Sequence, residues 1–364
     1  MKSTIASPVR LSGSGHEYQK NNKINVSKIL KTLFAIALVS ISCSKDNDEQ
    51  QPTIQEPAKV TNIYIGGSQK INGKEKATIW KNGVAQLLST GTANASRVNA
   101  IYVYNDVVYA AGFEVDANVN IATLWINDLK VALSLSSSEA FSIAGYKDLF
   151  YIAGKLESKA TLWVGNKNSI DTIPISTVSN SFAKSIFVAN DGNTASGIYL
   201  AGRNGSNAWT YQNPQDITTL ATNASTAESI FVRGSDIFVA QTNTGLNFLT
   251  ASLQKNGVAV NTEIPNSVMY SVHGDDQNIY AVGAINPNTT NSKATIWENY
   301  IPKQLSQLYS QANSIIVSDK NVYVAGYEYD SNTAHYKATL WINGTVQTIS
   351  TEDCQVKSVF VTVK

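Results

Sequence analysis

The chain has 364 residues, 43% of them apolar and 15% charged, with a formal net charge of +1 at pH 7. That composition excludes a disordered, collagenous or disulfide-stapled chain and leaves ample apolar content for one large domain. Residues 1–42 hold six Lys/Arg and one Glu, leaving 22 basic and 26 acidic residues in the remainder. No basic stripe is left there, so nucleic acid is not expected as a partner.

Lys28 and Lys31 precede an apolar run over residues 33–39, the pattern of a signal peptide covering 1–42. The run is far too short to span a bilayer. Ser40-Ile41-Ser42-Cys43 resembles a lipobox, which implies that Cys43 carries lipid and becomes the mature N-terminus. Residues 43–59 are polar and Pro-containing and read as a flexible tether. The Ser-Lys-Asp-Asn-Asp-Glu that follows Cys43 resembles the export signal of surface-exposed lipoproteins in Bacteroidetes-type bacteria. The resemblance implies an outer-membrane lipoprotein displayed at the cell surface and held to the membrane by its lipid. Cys354 is then a lone thiol, expected to be a packed residue.

From residue 60 to 364 the chain repeats. An aromatic-then-small strand begins as NIYIGG at residues 62–67 and recurs six times, its aromatic residues being Tyr64, Tyr109, Tyr151, Tyr199, Phe238, Tyr280 and Tyr323. Successive spacings of 45, 42, 48, 39, 42 and 43 residues match the period of propeller blades. An ATLW-like strand follows each copy, degenerate only in the fourth (Ala208-Trp209-Thr210-Tyr211) and fifth (Ala251-Ser252-Leu253-Gln254). With side chains alternating along a strand, Thr and Trp share one face and Ala and Leu the other. Neither face is polar, so both are expected to be covered, with the Trp residues as packing anchors.

A third element carries a small residue at Ala100, Ser142, Ser185, Ser229, Ser271, Ser314 and Ser358. A ring of small side chains fits the crowded axis of a propeller, their hydroxyls satisfying neighbouring backbone. The chain enters on a second strand and ends on a first, so residues 359–364 are expected to pair with the first blade and seal the ring. The expected fold is an all-β, seven-bladed β-propeller of four-stranded antiparallel blades. Asn82-Gly83, Asn256-Gly257 and Asn343-Gly344 supply the left-handed residues of tight hairpins. The repeats resemble kelch repeats in architecture only, and more closely the propeller lipoproteins with ATLWxNG repeats; neither likeness implies an activity.

No catalytic constellation, metal cluster or cofactor motif is found. His16 lies in the leader, His273 stands where other blades carry Phe187, Phe231 and Phe360, and His335 falls in a loop. No Cys/His grouping has metal spacing. Divergence points elsewhere, because the residue after each Gly-ending strand varies freely on a regular frame. The longest loops there are expected over 113–120, 284–292 and 327–336. Phe113, Glu114, Arg203, Tyr327, Tyr329 and His335 are therefore the candidate ligand contacts. The expected role is a non-catalytic binding module for a glycan or protein partner. A glycan-active hydrolase or lyase and a structural subunit of an envelope complex stand as alternatives.

Overall fold

The computed structural model describes residues 59–88, 94–190, 194–213, 217–221, 224–245, 248–260 and 263–364. The leader, Cys43 and most of the tether lie outside the described residues. Seven sheets, each a run of four antiparallel strands, form the blades. In blade 1 the order from the inside out is Cys354–Val363, Thr61–Ile71, Lys74–Lys81 and Val84–Leu87. The last strand of the chain is thus the innermost strand of the first blade, as its register predicts. Blades 2 to 7 run in chain order, their innermost strands being Ser96–Tyr104, Ser138–Tyr146, Ser181–Asn190, Ser225–Arg233, Ser267–Gly274 and Ser310–Ser318. Blade 5 also carries the short Ile264–Pro265 strand against its third strand.

Local chemistry explains the hairpins. Asn82 (φ 49°) and Gly83 (φ 81°) are both left-handed, the geometry of the two-residue turns that match strand twist. The Asn has a second duty, since Asn82 Oδ1 accepts the Ile63 N–H at 2.8 Å. Asn127, Asn256, Asn299 and Asn343 do the same for Val108, Ile237, Ile279 and Val322. Each asparagine therefore ties its turn back to the second strand.

Between blades the core is a stack of sheet faces. All six Trp side chains are at most 1% exposed, the Ala residues beside them are fully buried, and Thr78, Thr123, Thr161, Thr295 and Thr339 are buried as well. Trp125 of blade 2 packs with Tyr64, Ala77 and Ile79 of blade 1, and Trp163 repeats the contact against Tyr109, Ala122 and Leu124. Two rings of hydroxyls lock the stack. Ser96, Ser138, Ser181, Ser225, Ser267 and Ser310 each accept the backbone N–H of the ATLW alanine in the preceding blade, at 2.9–3.2 Å. In blade 1 the same place is taken by Cys354, whose thiol receives the Ala338 N–H and is pushed up to about 11 by burial. Four residues on, the small-residue ring behaves as the sequence suggests. Ser358, Ser142, Ser185, Ser229, Ser271 and Ser314 each accept an N–H from the next inner strand, at 3.1–3.3 Å. Ala100, lacking a hydroxyl, breaks this second ring at one link.

Blade 5 departs from the pattern in a coupled way. Elsewhere the second strand places a Gly at which a Cβ would run into an inner-strand carbonyl, and at Gly154 also into the Trp ring, 2.2 Å from Glu139 O and 2.7 Å from Trp163. Blade 5 has Gln254 in the Trp place and Gln241 in the Gly place, and the two side chains hydrogen-bond at 2.8 Å. The paired amides satisfy part of each other's buried polarity.

Candidate functional site

Every inner strand carries a β-bulge at the same position. In blade 2, Val98 pairs with Gly112 and Ala100 with Ala111, so Asn99 between them has no partner. The equivalent unpaired residues are Phe141, Lys184, Glu228, Tyr270, Asn313 and Lys357. A bulge turns its extra residue out of the ladder and re-aims the side chain. All seven line one axial cavity of about 600 Å³. The cup they form is built from strands alone.

Its chemistry is mixed and interlinked. Lys184 Nζ lies 4.0 Å from Glu228 Oε2 and 4.7 Å from the centre of the Phe141 ring. Burial raises Glu228 toward its protonated form, with Lys184 and Arg203 opposing. Tyr270 is pushed up to about 12, chiefly by burial, and hydrogen-bonds Gln311. Asn99 Nδ2 donates to Ala140 O at 2.8 Å, and Asn313 Nδ2 to Val356 O at 2.6 Å, which holds both amides across blade boundaries. Lys357 is pushed down to about 8, first by burial and then by the cations Arg97 and Lys184.

Further along the axis, two residues beyond the small ring, the channel is packed by rings. Tyr102 meets Phe360 at 5.8 Å, Phe187 meets Phe231 at 5.5 Å, and Phe231 meets His273 at 4.8 Å. His273 Nδ1 accepts the Val317 N–H at 3.2 Å, which requires that nitrogen to be unprotonated. Burial lowers its pKa to about 4. It is a packed histidine, as its alignment with Phe positions implies.

The six sequence-predicted contacts stand around this cup on the same end of the propeller, spread over blades 2, 4 and 7, and none lines the cavity. Phe113 is 6% exposed beneath the Arg97 guanidinium at 5.0 Å. Glu114 is 4% exposed and pairs with Lys130 at 2.6 Å. Arg203 lies over Phe182 at 5.9 Å, its Nε donating to Gly205 O. Tyr327 donates its hydroxyl to Gln311 Oε1 at 2.8 Å, and burial raises its pKa. Tyr329 belongs to a cluster with Tyr309 and Tyr336 at 6.0 and 5.2 Å.

Two of the predicted long loops are instead extensions of the hairpins. Val107–Asp116 runs straight through Phe113 and Glu114 to a tight turn at Ala117 and Asn118, both left-handed. Asn321–Asp330 pairs with His335–Ile342 through Tyr329 and Tyr336, so His335 begins a strand rather than sitting in a loop. Register continuity and aromatic cross-strand contacts carry the ladder past the Gly that seemed to end it. Only 284–292 leaves the sheet, after Ile285. The bulge residue stands just before the small one and reads Asn, Phe, Lys, Glu, Tyr, Asn or Lys across the repeats, a divergence visible in the sequence although the bulge that turns it inward is not. Among the described residues no group of three His, Cys, Asp or Glu is placed to hold a metal ion.

No protein-family model and no curated protein matches the chain. Among solved structures it is similar to a chain of a nidogen/laminin complex, at 9% identity and a TM-score of 0.43 over 82% of this chain and 98% of that one. It is also similar to the β-propeller domain of the Trilobed protease from Pyrococcus furiosus, at 12% identity and 0.43 over 71% and 85%. An ulvan lyase, a polysaccharide lyase, gives 8% identity and 0.46 over 72% and 81%. Likeness at this level carries no inference about ligand or activity.

Proposed function

We propose that this propeller is a non-catalytic binding module that engages a glycan or protein partner at the end of the ring where the cup opens. The observation that carries this reading is the bulge ring. Around it the frame repeats closely, while the seven re-aimed side chains span acid, base, amide, phenol and phenyl. Packing gives no reason for that divergence, and recognition does. Screening the protein against immobilised glycans and surface proteins supplies the partner. For a partner so found, Tyr270→Ala and Phe141→Ala weaken binding at least tenfold, about 1.4 kcal/mol, with an unchanged melting temperature. Asp319→Asn, in the hairpins at the opposite end, leaves binding unaltered; the reverse pattern moves the site to that end.

The lipobox-like Cys43 and the acidic tether support a propeller anchored to the outer membrane and displayed at the cell surface. Diacylation would make such anchoring stable, which a single chain does not. The mass of the mature N-terminal peptide from the native host carries the acyl chains on Cys43; an unmodified Cys43 overturns the anchor. A second reading, a glycan-active hydrolase or lyase, is favoured by Glu228, which burial holds toward its protonated, proton-donating form inside the cavity.

A further inference from the structure

We infer that the cup receives the carboxylate of an acidic sugar, with Lys357 as its cationic contact. The inference rests on the binding reading above and names the ligand class for the same site.

The starting point is an imbalance among the charges at the channel mouth. Lys184 has Glu228 at 4.0 Å, Lys155 has Glu139 at 3.6 Å, and Arg97 has Glu75 at 3.9 Å and Gln355 at 3.2 Å. Each of these cations has a carboxylate of its own. Lys357 has neither an ion pair nor a hydrogen bond among the described residues, although it occupies a bulge in the cavity wall and is half-buried there. Glu75 and Glu139 favour its charged form, but burial together with Arg97 and Lys184 outweighs them, and an ammonium so placed is unfavourable unless a further counter-charge approaches. Three neighbouring strands could carry an acid there, and the repeat frame would tolerate it, since Glu228 fills the same position in blade 5. An anion from outside is the complement this geometry lacks.

The size and lining of the cup define what bears that anion. A cavity of about 600 Å³ enclosed by inner strands admits a sugar residue or two, and not the body of a folded partner. One uncommitted cation matches one negative charge, so a carboxylate fits better than a phosphate dianion. Around Lys357 the ring offers the neutral polar groups of Asn99, Asn313 and Tyr270, which can meet hydroxyls.

Titration supports the same assignment. Lys357 faces the cations Arg97 and Lys184 and the carboxylates Glu75 and Glu139, and its lowered pKa of about 8 leaves it mostly charged at neutral pH. Bound carboxylate favours the ammonium form, so affinity falls as pH rises through and above that value.

Calorimetric titration of the full chain with trigalacturonate and with its methyl ester tests the inference, because the ester removes the charge and keeps the ring. The acid is expected to bind at least tenfold more tightly than the ester at pH 7. Lys357→Met is expected to abolish that preference, with a melting temperature no lower than that of the parent, and Lys357→Arg to retain part of it. Equal binding of acid and ester, indifferent to Lys357→Met, overturns the acidic-sugar inference and leaves the cup as a binding site. Failure of both probes to bind at millimolar concentration overturns the inference, as does tighter binding of a tri-glutamate peptide than of the acid sugar. Binding of either sugar that is unmoved by Tyr270→Ala and Phe141→Ala but lost in Asp319→Asn overturns the underlying reading as well.

Discussion

Deleting residues 359–364 lowers the stability of the propeller by several kcal/mol and its melting temperature by roughly 5–10 °C. The deleted stretch pairs with Thr61, Asn62, Ile63, Tyr64 and Ile65 of the first repeat. It buries Val359 and Val361, at 5% and 6% exposure, each worth about 1.5–3 kcal/mol. It also places Phe360 edge-on against Tyr102 and donates the Val359 N–H to the Ser314 hydroxyl. Without it, one blade exposes an inner edge and two blade faces lose their shared contacts, so the loss is cooperative rather than local. Differential scanning fluorimetry of the truncated chain measures it. A truncated protein melting with the full chain would show that closure through this strand does not hold the ring.

Replacing Trp125 separates packing from polarity at the blade faces. Trp125→Ala is expected to cost about 3–5 kcal/mol, because the cavity between blades 1 and 2 is walled by strands that cannot collapse. Trp125→Phe is expected to cost about 1 kcal/mol or less. The reason is that the indole Nε1 of every Trp in the set, Trp80, Trp125, Trp163, Trp209, Trp297 and Trp341, is buried without a hydrogen-bond partner. Removing an unpaired donor offsets part of the lost volume. Urea midpoints of the two variants decide this, and equal losses would mean that the indole N–H makes a stabilising contact. Blade 5 shows the complementary solution. Its Trp is replaced by a buried amide, and that change is accompanied by Gln241 where most blades have Gly.

Much of this architecture was legible in the residues themselves. Period-two alternation in ATLW, left-handed Asn-Gly turns and a repeat near 43 residues are local signals, each set by backbone sterics or by burial of one strand. They dictate hairpins, and seven equivalent hairpin pairs with a displaced register leave the final strand one partner. The hydroxyl ring of Ser142, Ser185 and their equivalents was readable for the same reason, since a crowded axis selects small side chains in every copy. The ladder of Ser96, Ser138 and Cys354 was equally periodic in the chain, but its acceptor role depends on which alanine N–H the neighbouring blade presents.

The candidate site was legible only in part. The chosen end of the propeller was the one where the cup opens, because strand direction places the Gly-ending strands there. The residues expected to be presented were not the ones lining the cavity. Phe113 and Glu114 are drawn into the sheet by continued pairing and by Arg97 and Lys130, partners 16 residues away along the chain. A bulge exists only once two strands are in register, so nothing local marks Lys184, Tyr270 or Lys357 as turned out of the ladder. The charge balance at Lys357 is still less local: the cations that depress it come from blades 2 and 4, and they meet it only after the last strand has closed the ring. Strand period and turn chemistry, carried by neighbours in sequence, therefore determined the frame, whereas cross-blade desolvation and register decided which side chains face the axis.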